Sequence, residues 1–325
     1  MLLCGMAGAG FGSSRPAGAT PALVPFAAGV LMDQTGDQTG ADGGRSPREA
    51  SGLRVLRERY ATFFVDQFGV LHDGAKAYPG AVDALRRLKA SGAHVVLISN
   101  SGRPAAYNAG RLADLGFDPA SYDAFVTSGD VALDLVARGA LDVVTGPSTR
   151  CLTISGVGER SLAGALGFSD AESGEDADFV IIAGSRGDVV AIETYARLLE
   201  PAARRGAPCL CTNPDQVMLT PSGPAFGAGR IALLYEQFGG AVTWVGKPYP
   251  EIYEAARRVA GAARADEIAC VGDSVEHDIV GARRFGARAI LVRTGINAGN
   301  GEDGLAEKFA RHGVVPDEIL DAFRW

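Results

Sequence analysis

From residue 61 onward, short and almost wholly apolar runs alternate with longer stretches in which apolar residues recur every three or four positions. Ala61–Val65 is rich in aromatic and β-branched residues and predicts a buried strand. Pro79 then opens a helix with Val82, Leu85 and Leu88 on one face, stopped by Gly92. His94–Ile98 predicts a second strand, Pro104–Leu115 a helix ending at Gly116, and Phe125–Val126 with a helix over 129–138 repeats the unit. Near the other end, Val242–Val245, Ile268–Val271 and Arg288–Val292 predict strands, separated by helices over Pro250–Ala262 and Glu276–Phe285. Between these halves the pattern predicts strands near 141–145, 151–154, 179–183 and 208–211 and a long helix over 188–205. Continuous apolar strands alternating with helices imply an α/β fold whose parallel sheet is covered on both faces. In such sheets chemistry collects at the carboxyl ends of the strands.

The first 50 residues break this pattern. Met1–Leu31 is rich in Gly and Ala, has one basic residue (Arg15) and no acid, and is interrupted by Ser-Ser-Arg-Pro at 13–16. Together with the Gly/Asp/Gln-rich stretch 33–47 it reads as a poorly ordered extension, with Met32 an alternative start. No run of 18 apolar residues follows it, so no membrane span is expected.

With 325 residues, 47% hydrophobic and 21% charged, the chain can bury a sizeable core. A net charge of −7 argues against a nucleic-acid surface, which needs basic residues to replace counterions. A small phosphorylated molecule is still compatible, because one Lys and a divalent cation supply local positive charge. The five cysteines are odd in number and scattered, so a disulfide framework is not expected and a reducing, cytoplasmic setting fits. Cys209 and Cys211 lack further ligands at metal-binding spacing and read as core thiols on one strand face.

The candidate chemistry lies where four of these strands end. Strand 61–65 runs into Asp66-Gln67-Phe68-Gly69, with His72 and Asp73 just beyond, and strand 94–98 into Ser99-Asn100-Ser101. Strand 242–245 leads to Gly246-Lys247-Pro248, and strand 268–271 to Gly272-Asp273-Ser274 with Asp278 one turn on. One Asp after a strand is commonly a helix cap. A carboxylate, a hydroxyl, an ammonium and a carboxylate pair in the same topological position are hard to explain that way. They suit phosphoryl transfer. Asp66 can attack phosphorus, Asp66 and Asp273 can bind Mg²⁺ with Asp278 beside them, and Ser99 and Lys247 can hold the transferring oxygens.

These four segments resemble the signature motifs of the haloacid dehalogenase superfamily. The spacing resembles its subclass with an α/β cap between the second and third motifs, as in nitrophenyl-phosphatase-like and pyridoxal-phosphate-phosphatase-like members. Thr212-Asn213-Pro214-Asp215, Gly227-Ala228-Gly229 and Val245–Pro250 add to the likeness, which covers about residues 55–295. It implies a Rossmann-like core over 53–140 and 242–325 and a cap over 141–241. It also implies a Mg²⁺ ligand from the Phe68 carbonyl and substrate contacts from Gly69, Asn100, Ser101, Asn213 and Asp215. The implied activity is Mg²⁺-dependent hydrolysis of a small phosphorylated metabolite, such as a sugar phosphate. The cap is expected to open and close over substrate and to pair two copies in a homodimer.

One position departs from the pattern. Phosphatases of this superfamily carry an acid–base Asp two residues after the nucleophile, where this chain has Phe68. General acid–base groups contribute about 10²–10⁴-fold. His72 is the best substitute on its ordinary titration range. Otherwise the substrate has a leaving group that needs little protonation, or the chain binds a phosphorylated ligand with little turnover. Carbon-centred dehalogenation would use the same nucleophile, but a halide-displacing site has no need of Mg²⁺. The glycine-rich stretch Gly295–Gly301 lacks a Gly-Lys-Ser/Thr ending and reads as a surface loop.

Overall fold

Alternate residues of the central strands enter two different buried clusters, as a sheet covered on both faces requires. Phe63, Val65, Val95, Leu97, Ala269, Val271, Ile290 and Val292 face one side. Phe64, Val96, Ile98, Cys270, Ala289 and Leu291 face the other. A computed structural model describes residues 47–156, 158–220, 222–261 and 264–325. The expected N-terminal extension lies outside the described residues, except for its last positions.

Those last positions are ordered into the fold. Strand β1 (Arg48–Glu49) pairs in parallel with Glu318–Ile319 near the other terminus. Helix α1 (Leu53–Arg57) precedes β2 (Thr62–Asp66), followed by α2 (Ala81–Ala90), β3 (His94–Ser99), α3 (Ala105–Asp114), β4 (Ala124–Thr127) and α4 (Ser128–Ala137). The cap holds β5 (Arg150–Ile154), α5 (Ser161–Ala165), β6 (Ser169–Asp170), β7 (Phe179–Ile182), α6 (Ile192–Arg204) and β8 (Cys209–Cys211). The hairpin β9 (Val217–Thr220) and β10 (Gly223–Phe226), α7 (Ala228–Gln237) and β11 (Val242–Trp244) complete it. The core resumes with α8 (Pro250–Val259), β12 (Ile268–Gly272), α9 (Val280–Phe285), β13 (Arg288–Val292), α10 (Glu302–His312) and β14 (Glu318–Leu320).

The core sheet is parallel throughout, in the order β1-β14-β13-β12-β2-β3-β4. The chain winds outward from β2 through β3 to β4, and in the other direction from β12 through β13 to β14. The reversal falls between β2 and β12, and a crevice opens at their carboxyl ends where the winding changes direction. Asp66 closes β2 and Asp273 follows β12, so the fold itself brings these two carboxylates together.

Three sequence expectations are corrected. The run 141–145 is not a strand: Ala140 and Leu141 donate their amides to the Leu135 carbonyl at the end of α4, and Val144 is exposed. Strand β11, assigned to the core with 242–325, pairs with Cys209–Cys211 and forms the edge of the cap sheet, ordered β11-β8-β7-β5-β6. An apolar run announces a strand but not its partner. The helix expected from Glu276 starts as a wide π-helical turn over Val275–Ile279 before α9, the kind of irregularity that often marks a site.

Two apolar faces bind the cap sheet. Tyr195, Leu199, Ile231 and Tyr235 of α6 and α7 cover one face. On the other, Cys151, Phe179, Ile181 and Leu210 join an unbroken cluster with Val131 and Leu135 of α4 and with Phe64 and Val96 of the core sheet. A hydrophobic interface of this kind opposes free hinge motion, so the expected opening of the cap has a buried apolar seam to overcome. Among the described residues no helix is long and apolar enough to cross a membrane.

Candidate active site

Asp66 lies at the carboxyl end of β2, almost fully buried, and Lys247 reaches it from the segment returning from the cap. The Lys247 ammonium sits 2.8 Å from Asp66 Oδ1 and 2.7 Å from Asp278 Oδ1. The side chain of Asp278 curls back from the π-helical turn, accepting the Ser274 amide at 3.0 Å. Asp273 accepts the amide of Ile296 at 2.8 Å. One oxygen from each of Asp66, Asp273 and Asp278 lies within 4.8 Å of the others, and all three residues are buried. The four ionisable groups of the strand-end reading therefore converge on one point.

Charge bookkeeping there is unfavourable without another cation. Three carboxylates face one ammonium, which leaves two negative charges uncompensated in a low-dielectric pocket. Burial pushes Asp66 up from 3.8 to about 7; attraction to Lys247 opposes it, and repulsion from Asp278 and Asp215 adds to it. Burial and the charges of Asp66 and Asp278 likewise hold Asp273 well above the usual carboxylate range. Burial alone would lower the Lys247 ammonium, but attraction from Asp278 and Asp66 wins and raises it. A cluster of hard oxygen donors with a deficit of two charges fits a divalent cation such as Mg²⁺.

The hydroxyl wall is arranged with comparable care. Gln67 Nε2 donates to Ser99 Oγ at 2.7 Å and to Asn108 Oδ1 at 3.2 Å. With one lone pair of Ser99 taken, its own proton is free to point into the cavity. Ser101 Oγ accepts from the Arg103 amide and from Asn108, both at 3.2 Å. Asn100 uses both ends of its amide: Oδ1 accepts the Lys247 amide at 2.6 Å, and Nδ2 donates to Asp215 Oδ1 at 2.8 Å and the Lys247 carbonyl at 3.0 Å. Asn100 thus ties core to cap directly under Lys247. Asn213 Oδ1 accepts the Asp215 amide at 3.2 Å, an Asx turn that aims Asp215 at the core.

Two expected site residues stand differently from the sequence reading. The Gly69 amide donates to the His72 carbonyl at 2.9 Å and its carbonyl accepts from Thr294 at 2.6 Å, so Gly69 does not present its backbone to the cavity. Its requirement is steric: φ is +86°, and a Cβ there would lie 2.0 Å from Asp273 Oδ2. Gly69→Ala is expected to destabilise the fold by about 1–3 kcal/mol and to displace Asp273, checked by chemical denaturation alongside cation binding. His72 lines the cavity, but its Nδ1 accepts the Gly74 amide at 2.9 Å. Burial first, and then the nearby Arg111, pull its pKa down to about 4. At neutral pH His72 is an uncharged imidazole, not the imidazolium acid that its ordinary titration range suggested.

Several residues around the site were not anticipated. Gly295–Asn297 is no surface loop: Ile296 lines the cavity, and Asn297 Nδ2 donates to the Asp273 carbonyl while Lys308 holds Asn297 Oδ1 at 2.7 Å. The position of this loop at the carboxyl end of β13, beside β12, was the available clue. Gln67 and Asn108 carried no sequence signal beyond their neighbours. The hairpin residues Val217, Met218 and Leu219 form the cap wall of a cavity of about 290 Å³. His277 Nε2 lies 3.5 Å from Asp215, and Gln216 hydrogen-bonds Glu276, adding core–cap contacts.

Two haloacid dehalogenase-type family models match the chain: "haloacid dehalogenase-like hydrolase" over residues 63–169 and "HAD-hydrolase-like" over 244–322. A haloacid dehalogenase-like hydrolase from Brucella suis 1330, of known structure, is 32% identical with a TM-score of 0.71, covering 84% of this chain and 99% of its own. The chain belongs to the haloacid dehalogenase-like hydrolases. Among these hydrolases it is similar to p-nitrophenyl phosphatase from Archaeoglobus fulgidus (25% identity, TM-score 0.64, 81% of this chain and 97% of that one). It is also similar to the sugar-phosphatase AraL of Bacillus subtilis (27% identity over 270 residues, 81% of this chain and 91% of that protein). Within the haloacid dehalogenase-like hydrolases it falls in the subclass whose α/β cap is inserted between the second and third motifs.

Proposed function

We propose that this chain is a divalent-metal-dependent phosphoric monoester hydrolase for small phosphorylated metabolites, working through an aspartyl-phosphate on Asp66. The observation that carries this reading is the convergence of Asp66, Lys247, Asp273 and Asp278 on one buried point at the carboxyl ends of β2 and β12. Asp66, Asp273 and Asp278, with the Phe68 carbonyl, would hold Mg²⁺. When bound, that ion lowers the repulsion between a carboxylate nucleophile and an anionic phosphate.

The remaining steps belong to the chain. An Asp66 carboxylate oxygen attacks phosphorus in line with the leaving oxygen. Lys247 and the Ser99 hydroxyl hold the phosphoryl oxygens, and their fixed positions do most of the electrostatic work. The Gln67 and Asn100 amides lock those two groups in place. A cavity of about 290 Å³ limits the organic part to a small molecule. Sugar phosphates are candidates on the names of relatives such as the Bacillus subtilis protein.

Phe68 and the neutral His72 favour a second reading, a protein that binds a phosphorylated ligand with little turnover. Phosphate release from a panel of esters and acyl phosphates, with Mg²⁺ and with chelator, separates the two. Metal-dependent release is expected. A folded protein that binds Mg²⁺ yet releases phosphate from none of them would establish the binding reading instead.

Metal removal has a signature independent of activity. Folded Asp66 keeps its proton up to about 7, whereas in the unfolded chain it ionises near 3.8. Between those values the folded state binds more protons, so this group makes the metal-free fold less stable as pH rises. Mg²⁺ should therefore raise the melting temperature more at pH 8 than at pH 5, and its binding near pH 6 should release protons into a weakly buffered solution. Equal shifts at both pH values would contradict this.

A further inference from the structure

An alkoxide leaving from phosphorus needs a proton, and most of the titratable side chains that line the cavity are already engaged. Lys247 is engaged by Asp66 and Asp278. Asp215 is hydrogen-bonded to Asn100 and faces His277. His72 has given Nδ1 to Gly74 and lies edge-on to the Phe68 ring, with centroids 5.6 Å apart. Two residues past the nucleophile the cavity wall is that phenyl ring.

The ring is built into its place. Gly74, at φ +95°, would put a Cβ 2.8 Å from Phe68 Cε2, so a glycine is needed for the ring to lie where it does. The apolar surface continues through Ile296 on the core side and Val217, Met218 and Leu219 on the cap side. A polyhydroxylated body would leave the hydroxyls that meet this wall facing hydrocarbon, at the cost of their hydrogen bonds to water.

We infer that this site selects phosphates with an apolar body whose leaving group departs as a stable anion: aryl, enol or acyl phosphates rather than alkyl phosphates. This rests on the phosphatase reading above and narrows it. In the first step an Asp66 oxygen bonds to phosphorus and the bond to the leaving oxygen breaks. The electron pair goes to a phenolate, enolate or carboxylate that needs no proton. In the second step water bonds to phosphorus, the bond to Asp66 breaks, and its electron pair restores the carboxylate. Both water protons end on the released inorganic phosphate.

The test is a leaving-group series: phenyl phosphates graded by the acidity of the phenol, with benzyl phosphate as the alkyl member of similar size. For the wild-type protein kcat/KM is expected to fall steeply along the series, with p-nitrophenyl phosphate favoured over benzyl phosphate by about 10²-fold or more. Phe68→Asp is expected to flatten the series by restoring a proton donor. Benzoyl phosphate is expected to outperform acetyl phosphate through the apolar wall. A wild-type series that is already flat overturns the inference while leaving the phosphatase reading intact, and so does a preference for acetyl phosphate. No phosphate release from any member, with Mg²⁺ present, defeats the phosphatase reading itself. Should Phe68→Asp fail to fold, the wild-type slope decides alone.

Discussion

Asp66→Asn is expected to abolish phosphate release, by a factor on the order of 10⁴ or more, since removing a covalent nucleophile disables the whole constellation. The same substitution should not weaken the fold. Asp66 is buried beside Asp278 and Asp215, and its pKa near 7 means the folded state disfavours its charge. An amide of the same shape still accepts from Lys247 and removes one repulsive carboxylate. Melting of the metal-free variant at pH 8 should therefore match or exceed that of the parent, while Mg²⁺ binding weakens. Lost activity with an unaltered or raised melting temperature is the pattern of a group placed for chemistry. A large loss of stability would instead make Asp66 a structural residue.

Lys247→Met should behave in the opposite way. Its ammonium is the cation that touches both Asp66 and Asp278, and it is 2% exposed. Removing one partner of a buried ion network leaves the others uncompensated, at a cost of about 3–5 kcal/mol. At pH 8 without metal, denaturant unfolding should show that loss. It should shrink as the pH falls below about 7, where Asp66 takes up a proton and its charge no longer needs a partner. Activity should fall by about 10²–10³-fold, the effect of removing one preorganised group that meets transition-state charge. A destabilisation independent of pH would show that Lys247 contributes through packing of its stem alone.

Asp66 was legible in the sequence because its position follows from a strand end. A buried strand in a parallel sheet is a short apolar run, and the polar residue that ends it must lie on the carboxyl edge where neighbouring strands also end. Asp66, Ser99 and Asp273 follow from that rule alone. Lys247 reached the site by another route: β11 belongs to the cap sheet, and the segment after it crosses back to the core. The strand was read correctly and its sheet was not.

What stayed hidden depends on contacts between segments far apart in the chain. Ile296 reaches Asp273 across 23 residues, and the Asn100–Asp215 clamp spans 115. The hairpin wall of Val217, Met218 and Leu219 carries no pattern that separates a cavity lining from an ordinary half-buried strand. The lowered pKa of His72 was hidden for the same reason: its burial and the Gly74 hydrogen bond belong to the folded loop, not to the residue type. Residue identity proposes chemistry, but local environment decides the protonation state.

Acid quenching of the Mg²⁺-loaded protein during turnover of an acyl phosphate labelled in its phosphoryl group, followed by peptide mapping, tests the aspartyl-phosphate directly. Label on the peptide containing Asp66, sensitive to hydroxylamine and absent from Asp66→Asn, is the expected result. Phosphate released at the full rate with no trapped label, or label carried by another residue, would contradict it.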